Sequence, residues 1–161
     1  MNYKELLRFA YEAAKTSPDP STKNCTLLVD NNNDVVIVDV NRFPDGVKNT
    51  PERLIKPAKY QFVEHAERNA FFSAARDGIS TRGLVLISPW FPCVECARGI
   101  IQSGIVEVVV HKQACDRIHE TWKESLQIAK NMLEEAGVRI VYYDGKIGVE
   151  GALFNGEKWN P

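Results

Sequence analysis

Two short segments contain side chains that could bind a metal ion and use it for chemistry. One is His65-Ala66-Glu67, and the other is Pro92-Cys93-Val94-Glu95-Cys96. A catalytic zinc site takes three nitrogen or sulfur ligands from the protein and keeps a fourth position open for water. His65, Cys93 and Cys96 match that number and those types. Because the two cysteines lie three residues apart at the start of a predicted helix, both sulfurs can face one point, and the helix amides favour their thiolate forms.

Glu67 lies two residues after His65, close enough to reach a zinc-bound water without binding the metal itself. Zinc lowers the pKa of a bound water towards about 7, and a neighbouring carboxylate can then accept its proton. The pattern H-x-E followed by P-C-x-x-C is a known signature of zinc-dependent nucleobase deaminases. The two segments therefore predict a hydrolytic site with one catalytic Zn²⁺ per chain and with Glu67 as the catalytic residue.

A second set of metal-binding residues overlaps the first and offers a competing interpretation. Cys93 and Cys96 are followed by His111 and Cys115, at spacings that resemble a closed structural zinc site. A Cys-x-x-Cys pair can also be redox-active. Both alternatives leave the His-Ala-Glu segment without a role, so we favour the catalytic set.

The composition is that of a soluble globular protein. The chain has 161 residues, of which 44% are hydrophobic and 25% are charged, and its formal net charge is −1. That balance excludes a protein that binds long nucleic acid through bulk charge. No apolar run approaches membrane-spanning length, the N-terminus lacks a signal-peptide pattern, and four cysteines are too few for a disulfide scaffold. We expect a cytoplasmic protein with no membrane partner, in which Cys25 is a small strand residue and His119 lies on a helix surface.

Hydrophobic periodicity and turn residues predict the elements that must position the site. After an opening helix and hairpin, helices alternate with strands, which predicts an α/β fold with a five-stranded mixed sheet and helices on both faces. Residues 41–62 contain several prolines and no period, so we predict a long loop there. We divide the chain into a zinc-dependent deaminase domain, 1–143, and a glycine-rich extension, 144–161, which has no regular element and is either a lid or disordered. The predicted helices are 2–15, 64–77, 93–103 and 116–136, and the predicted strands are 25–30, 35–40, 83–88, 106–110 and 138–143.

The segments HAERNAFFSAA and WFPCVECARGIIQSGIVEVVV carry a resemblance to a known family. From Asp19 to Val141, the chain resembles the cytidine and deoxycytidylate deaminase superfamily, and most closely its deoxycytidylate (dCMP) branch. The resemblance implies a three-layer α/β/α fold of the cytidine-deaminase type and assembly as a homo-oligomer. It further implies that His65, Cys93 and Cys96 bind zinc, that Glu67 transfers protons, and that Asn41 contacts the substrate. Ala66, inside the His-Ala-Glu segment, is a further candidate contact, and Phe91, Phe154 or Trp159 could stack on the base.

Two of these assignments keep an alternative, because Asn41 could simply be a turn residue and Phe91 could pack in the core. Regulation is a separate open question. Relatives often read G-Y-N-G-x-P where this chain has Asp39-Val40-Asn41-Arg42-Phe43-Pro44. That loop is tied to deoxynucleoside-triphosphate control in the family, so such control stays open here. Residues 41–64 contain no Cys or His, which argues against a second, structural zinc.

The resemblance implies hydrolytic deamination of a cytosine deoxynucleotide, with dCMP converted to dUMP and ammonia. The loop 42–59 has an excess of Lys and Arg that could hold one phosphate, and Lys23 is a further candidate, although both could be solvated surface instead. Two other functions stay open. A deaminase of single-stranded DNA or tRNA would need a basic groove lined by aromatic residues, which the near-neutral charge disfavours. A non-catalytic, zinc-stabilised binding subunit would have no use for Glu67.

Overall fold

The computed structural model describes residues 1–118 and 120–161. Within these ranges it describes every side chain except those of residues 120 and 121. The prediction for His119 lies outside the described residues. A mixed sheet forms its centre. The strands are β1 (Cys25–Val29), β2 (Val35–Val40), β3 (Val85–Ser88), β4 (Glu107–His111) and β5 (Arg139–Tyr143). Their order across the sheet is β2-β1-β3-β4-β5. β1 pairs antiparallel with β2 and β3, whereas β3, β4 and β5 are parallel.

Helices cover both faces of this sheet. In chain order they are α1 (Tyr3–Ala14), α2 (Lys59–Phe62), α3 (Ala66–Asp77), α4 (Val94–Gln102), α5 (Lys112–Cys115) and α6 (Glu120–Glu135). α1 packs on one face, and α3, α4 and α6 contribute to the core on the other. Within the described part of the chain, no helix combines the length and the apolar character needed to cross a membrane.

Side-chain alternation along β1 explains why there are two hydrophobic layers. Leu27 and Val29 pack in the cluster that contains α1, whereas Leu28 packs in the cluster that contains α3, α4 and α6. All three side chains are fully buried, as expected for a central strand covered on both faces. The predicted α/β/α fold with a five-stranded mixed sheet is therefore confirmed.

Three predicted segments need correction. The predicted loop 41–62 contains a 3₁₀ turn at Pro51–Leu54 and the short helix α2. The predicted helix 116–136 begins only at Glu120, because a separate turn of helix, α5, follows β4 directly. The extension 144–161 contains a hairpin formed by β6 (Ala152–Phe154) and β7 (Glu157–Trp159). Three-residue strands are too short to show a period, although the Asn-Gly step between them is a recognised hairpin signal.

Candidate metal and catalytic site

The starts of two helices bring the three predicted zinc ligands together. His65 is the N-cap residue of α3, Cys93 is the N-cap residue of α4, and Cys96 follows in the first turn of α4. His65 Nδ1 lies 3.5 Å from Cys93 Sγ and 3.5 Å from Cys96 Sγ. The three ligand atoms all lie within 4.8 Å of one another.

These separations fit a zinc ion. In a tetrahedral site with a Zn–N bond of about 2.0 Å and a Zn–S bond of about 2.3 Å, the nitrogen and sulfur atoms are roughly 3.5 Å apart. Both nitrogen–sulfur distances in this group match that separation. One imidazole and two thiols are also a typical zinc ligand set, and three protein ligands leave a fourth position for water.

Two residues that the sequence analysis did not single out support the ligands. Glu64 Oε1 accepts hydrogen bonds from the His65 backbone N–H, at 2.8 Å, and from Arg68 Nε, at 2.7 Å. Arg68 Nη1 in turn lies 3.9 Å from Cys96 Sγ, where it can donate to a thiolate. Partners of this kind orient metal ligands and tune their basicity. The i,i+4 spacing of Glu64 and Arg68 was a signal from which this pair could have been predicted.

Protonation of the two thiols is strongly coupled. A hydrogen bond from Cys96, opposed by burial and reinforced by His65, lowers the pKa of the Cys93 thiol to about 3. The hydrogen bond to that thiolate and burial then raise the pKa of the Cys96 thiol. A divalent cation between them removes this competition, because it stabilises both sulfurs as thiolates.

Glu67 lies beside the three metal-binding residues but is not one of the group with metal-ligand spacing. It lies in the first turn of α3, is only 3% exposed, and lines the same cavity as His65 and Cys93. Burial raises the pKa of its carboxyl, although the nearby His65 acts in the opposite direction. A buried carboxyl with a raised pKa can both accept and return a proton near neutral pH.

A cavity of about 220 Å³ opens beside this group of residues. His65, Cys93 and Glu67 line one part of it and, together with Cys96, are called the metal group below. Another part of the lining carries hydroxyl, carboxylate and ammonium groups, and its residues are called the lysine wall. The lysine wall consists of Asp19, Ser21, Thr22, Lys56 and Lys59.

A buried ion pair organises the lysine wall. Lys59 Nζ lies 2.7 Å from Asp19 Oδ2 and 2.6 Å from Ser21 Oγ. Burial alone would raise the pKa of the Asp19 carboxyl, but hydrogen bonds from Lys59, Ser21 and Thr22 together hold that pKa below its usual range. The charge of Lys59 is therefore matched inside the protein. Lys56 also lines the cavity, is exposed, and has no carboxylate at ion-pair distance among the described residues.

Three of the four predicted substrate contacts, Asn41, Ala66 and Phe91, line the cavity. They differ in how far their side chains are already engaged within the protein. Ala66 lies between His65 and Glu67 and offers only a methyl group to the lining. Phe91 stacks on Tyr142, with ring centroids 5.9 Å apart, so it also serves the core. The side chain of Asn41 is engaged within the protein. Its Oδ1 accepts from the Asn24 backbone N–H at 2.7 Å, and its Nδ2 donates to the Thr22 carbonyl at 2.8 Å.

Lys23, the fourth predicted contact, is directed elsewhere. Its ammonium donates to the carbonyl oxygens of Lys15 and Ser17, which follow α1. It is not among the described residues that line the cavity. The Lys and Arg side chains of the loop 42–59, which was predicted to hold a phosphate, also differ in where they lie. Only Lys56 and Lys59 line the cavity, whereas Arg42 pairs with Asp39 and Asp45, and Arg53 donates to the Lys48 carbonyl.

The competing structural zinc set does not assemble in the described residues. The His111 ring is held by other partners, since Nδ1 lies 2.8 Å from the Tyr11 hydroxyl and Nε2 lies 3.1 Å from the Gly145 carbonyl oxygen. Cys25 and Cys115 are free thiols outside the metal group. Across residues 1–118 and 120–161, the group with metal-ligand spacing is His65, Cys93 and Cys96.

Comparison with known proteins identifies the family. The family described as the cytidine and deoxycytidylate deaminase zinc-binding region matches residues 1–112, a span that contains the whole metal group. The chain belongs to this family. Zinc as the cofactor and hydrolytic deamination as the class of reaction are thereby confirmed.

Individual relatives agree with this assignment. The chain is 32% identical, over 86% of its length and 91% of the relative's, to a protein of Aliivibrio fischeri named an uncharacterized deaminase in the luxG 3' region. It is 32% identical to the deoxycytidylate deaminase of Mus musculus, over 83% of this chain and 74% of that protein. The fold resembles that of the dCMP deaminase of cyanophage S-TIM5 in complex with dCMP and dUMP, with a TM-score of 0.62 and 20% identity over 88% of this chain and 93% of that chain.

Proposed function

We propose that this protein converts dCMP to dUMP and ammonia. The observation that carries the proposal is the metal group, with a buried carboxyl beside three zinc ligands, in one cavity with the lysine wall. The deoxycytidylate deaminase of Mus musculus, which matches over most of both chains, supports the choice of substrate. The deoxycytidylate branch suggested by the sequence is consistent with the same comparison.

In this proposal each part of the metal group has one task. His65, Cys93 and Cys96 hold a zinc ion, which when bound lowers the pKa of a water and so supplies the nucleophile. Glu67 accepts one proton as water adds to C4 of the cytosine ring and delivers it to N3; it then accepts the hydroxyl proton of the C4 adduct and delivers it to the departing amino group. One water is consumed, a C4–O bond replaces the C4–N bond, and ammonia leaves. Ala66 and Phe91 flank the ring in this arrangement, and Asn41 fixes the backbone around it.

A nucleotide fits this cavity better than a nucleoside does. Because the reacting ring must lie at the metal group, the rest of the substrate extends along other parts of the lining. Lys56 presents an ammonium there whose charge has no carboxylate partner among the described residues. A substrate phosphate would supply the missing negative charge. Lys59 contributes less, because Asp19 already matches its charge.

The direct test measures ammonia release, or the absorbance change from cytosine to uracil, with dCMP, CMP, deoxycytidine and dCTP side by side. Zinc-loaded wild-type protein should turn over dCMP in preference to the other three, and the Glu67→Gln protein should be inactive. Preferred turnover of deoxycytidine would retain the zinc chemistry and reject the phosphate contact. Inactivity with all four, in protein with zinc bound, would reject the proposed reaction.

We also propose that the protein is a cytoplasmic homo-oligomer. A reducing compartment keeps the cysteine ligands available for zinc, and all four cysteines of the chain are free. Several large apolar side chains are exposed, including Phe72, Trp122, Ile128 and Tyr142, and exposed apolar surface favours association. Light scattering coupled to size-exclusion chromatography should give a multiple of the chain mass, whereas a monomer at all concentrations would reject the oligomer.

A further inference from the structure

The C-terminal hairpin contributes an exposed residue, Asn155, to the lining of the cavity. Among the described residues that line the cavity, three are asparagines, namely Asn24, Asn41 and Asn155. Asn24 exchanges hydrogen bonds with the Ser88 hydroxyl, at 3.1 and 3.3 Å. Asn41 is engaged on both its oxygen and its nitrogen. The side chain of Asn155 has no hydrogen-bond partner among the described residues. Its amide can therefore donate to, and accept from, a bound molecule.

Backbone hydrogen bonds fix where this side chain lies. Lys23 N donates to the Leu153 carbonyl at 3.1 Å, and Gly156 N donates to the Ser21 carbonyl at 2.8 Å. Between them, Asn155 N donates to Thr22 Oγ1 at 3.1 Å. The turn of the hairpin is thus attached to the segment 21–23, of which Ser21 and Thr22 belong to the lysine wall.

An aromatic stack holds the other side of the hairpin. Phe154 stacks on Trp90, with ring centroids 4.1 Å apart and ring planes 19° apart. Both rings line the cavity, and Trp90 precedes Cys93 by three residues. The hairpin therefore connects the segment that supplies a zinc ligand to the segment that builds the lysine wall. This explains why a stretch of chain beyond the last strand of the main sheet forms a wall of the cavity.

The neighbours of Asn155 indicate which part of a substrate it meets. The backbone N–H of Asn155 donates to Thr22, and the neighbouring Ser21 has its hydroxyl 2.6 Å from Lys59 Nζ. Asn155 therefore lies on the same side of the cavity as the lysine wall. If the ring of a nucleotide lies at the metal group, the polar remainder of the molecule lies within this region. Sugar hydroxyls and phosphate oxygens are the groups there that an amide can bind.

We propose that Asn155 is a specificity-determining residue, which binds the sugar-phosphate part of the substrate, and that residues 144–161 are an extension that completes the cavity. The inference rests on the proposed function, because it takes a nucleotide as the ligand. It adds to that function a contact from a hairpin outside the deaminase domain, 1–143.

Asn155→Gly is the informative substitution. Asn155 has φ 51°, in the left-handed region that glycine adopts without strain, so the turn is preserved while the amide is removed. Asn33→Gly is a matched control, because Asn33 has φ 69° in the turn between β1 and β2 and is not among the described residues lining the cavity. Zinc-loaded Asn155→Gly should show a KM for dCMP raised about tenfold, with kcat nearly unchanged. Asn33→Gly should match the wild type.

A second variant and a second substrate distinguish phosphate from hydroxyl. If Asn155 binds the phosphate, Asn155→Gly leaves the KM for deoxycytidine unchanged, and Asn155→Asp raises the KM for dCMP further by charge repulsion. If it binds a sugar hydroxyl, Asn155→Gly raises the KM for both substrates, and Asn155→Asp retains most of the affinity. Either pattern supports the proposal.

Wild-type KM values in Asn155→Gly, or a loss confined to kcat, would overturn the proposed contact. Failure of the proposed function would look different, because wild-type protein would then leave all four cytosine compounds unchanged. In that event, calorimetric binding of dUMP to wild type and Asn155→Gly decides the matter. Equal affinities, or no binding to either protein, would overturn the role of Asn155, and weaker binding to Asn155→Gly would support it.

Discussion

The metal group and the lysine wall line one cavity but are assembled in different ways. The metal group comes from the first turns of two helices, and its key residues lie within the short segments 65–67 and 93–96. The lysine wall joins the segment after α1 to α2, and the hairpin beyond β5 is attached to it. Each half of the metal group is therefore a short local pattern, whereas the residues of the lysine wall are joined only by contacts between distant segments.

The two regions also handle charge differently. The metal group concentrates ionisable groups that need a cation, since two thiols and a carboxyl surround one imidazole. The lysine wall instead matches most of its charge internally through Asp19 and Lys59, and leaves Lys56 exposed. This difference supports the proposal that the first region carries the chemistry and the second contributes substrate affinity. Substitutions in the metal group should therefore change kcat, and those in the lysine wall should change stability or KM.

The largest effect is expected from loss of a zinc ligand. Cys96→Ser should reduce zinc from about one equivalent per chain to a trace, and activity should be lost with it, because zinc binds thiolates far better than hydroxyls. Metal analysis of the purified protein measures this. Cys115→Ser is the control, since Cys115 belongs only to the competing zinc set. Zinc lost from Cys115→Ser and retained in Cys96→Ser would reverse the assignment of the site.

Removal of the proton-transfer group should separate catalysis from metal binding. Glu67→Gln keeps the side-chain volume, so zinc content and folding should be unchanged while kcat falls about 1,000-fold or more. Steady-state kinetics with dCMP and metal analysis of the same preparation test this. Glu95→Gln is a matched control, because Glu95 lies in α4 but is exposed and paired with Arg98. A Glu67→Gln protein with substantial turnover would contradict the role of Glu67.

A substitution in the buried pair should affect stability rather than chemistry. Asp19→Asn leaves the Lys59 ammonium buried without its carboxylate, which should lower the free energy of unfolding by about 3 kcal/mol. Urea denaturation measures this change. Asp45→Asn, at an exposed ion pair with Arg42 and Arg76, should cost much less, because water screens an exposed pair. Equal losses in the two variants would show that the Asp19 pair is no more important than a surface pair.

The same pair predicts a dependence of stability on pH. Folding lowers the pKa of Asp19, so the folded state stabilises its charged form. Its contribution is fully present above the unfolded-state pKa of about 3.9 and is lost as the pH falls through the lower, folded-state value. The stability difference between wild type and Asp19→Asn should therefore shrink in acid.

The smallest effect is expected at the exposed cation of the lysine wall. Lys56→Gln should raise the KM for dCMP about tenfold and leave the KM for deoxycytidine unchanged, because a single charged hydrogen bond to phosphate is lost. Lys48→Gln is a control in the same loop, since Lys48 is not among the described residues that line the cavity. An equal rise for both substrates would show that Lys56 does not read the phosphate.

What could be predicted from the sequence follows the same division. The ligands His65, Cys93 and Cys96, with Glu67, stand in two short patterns that match a known deaminase signature, and this match joined the two segments before any tertiary contact was known. The sheet was equally accessible, because buried runs such as those of β3 and β4 alternate with periodic helices. The phosphate loop was only partly predicted. Its excess of positive charge is visible, but sequence does not show that Arg42 is paired with neighbouring aspartates.

Residues joined only by the fold could not be predicted. Asp19 and Lys59 are forty residues apart, and nothing in either segment marks the other. Lys23 was a candidate phosphate ligand, but its ammonium donates to the backbone carbonyl oxygens of Lys15 and Ser17. Every residue has a backbone carbonyl, so the sequence does not mark these two as partners. Asn155 reaches the cavity only because the hairpin returns to the segment 21–23.

The comparison of dCMP with deoxycytidine tests both regions in a single measurement. Turnover of each substrate by zinc-loaded wild-type protein gives two values of kcat/KM, which share the reacting ring and differ only in the phosphate. Both substrates should be turned over, with dCMP preferred by about 100-fold, because phosphate binding adds affinity to an unchanged chemical step. Equal or better turnover of deoxycytidine would contradict a phosphate-reading lysine wall, and turnover of neither would contradict the metal group as a cytosine deaminase site.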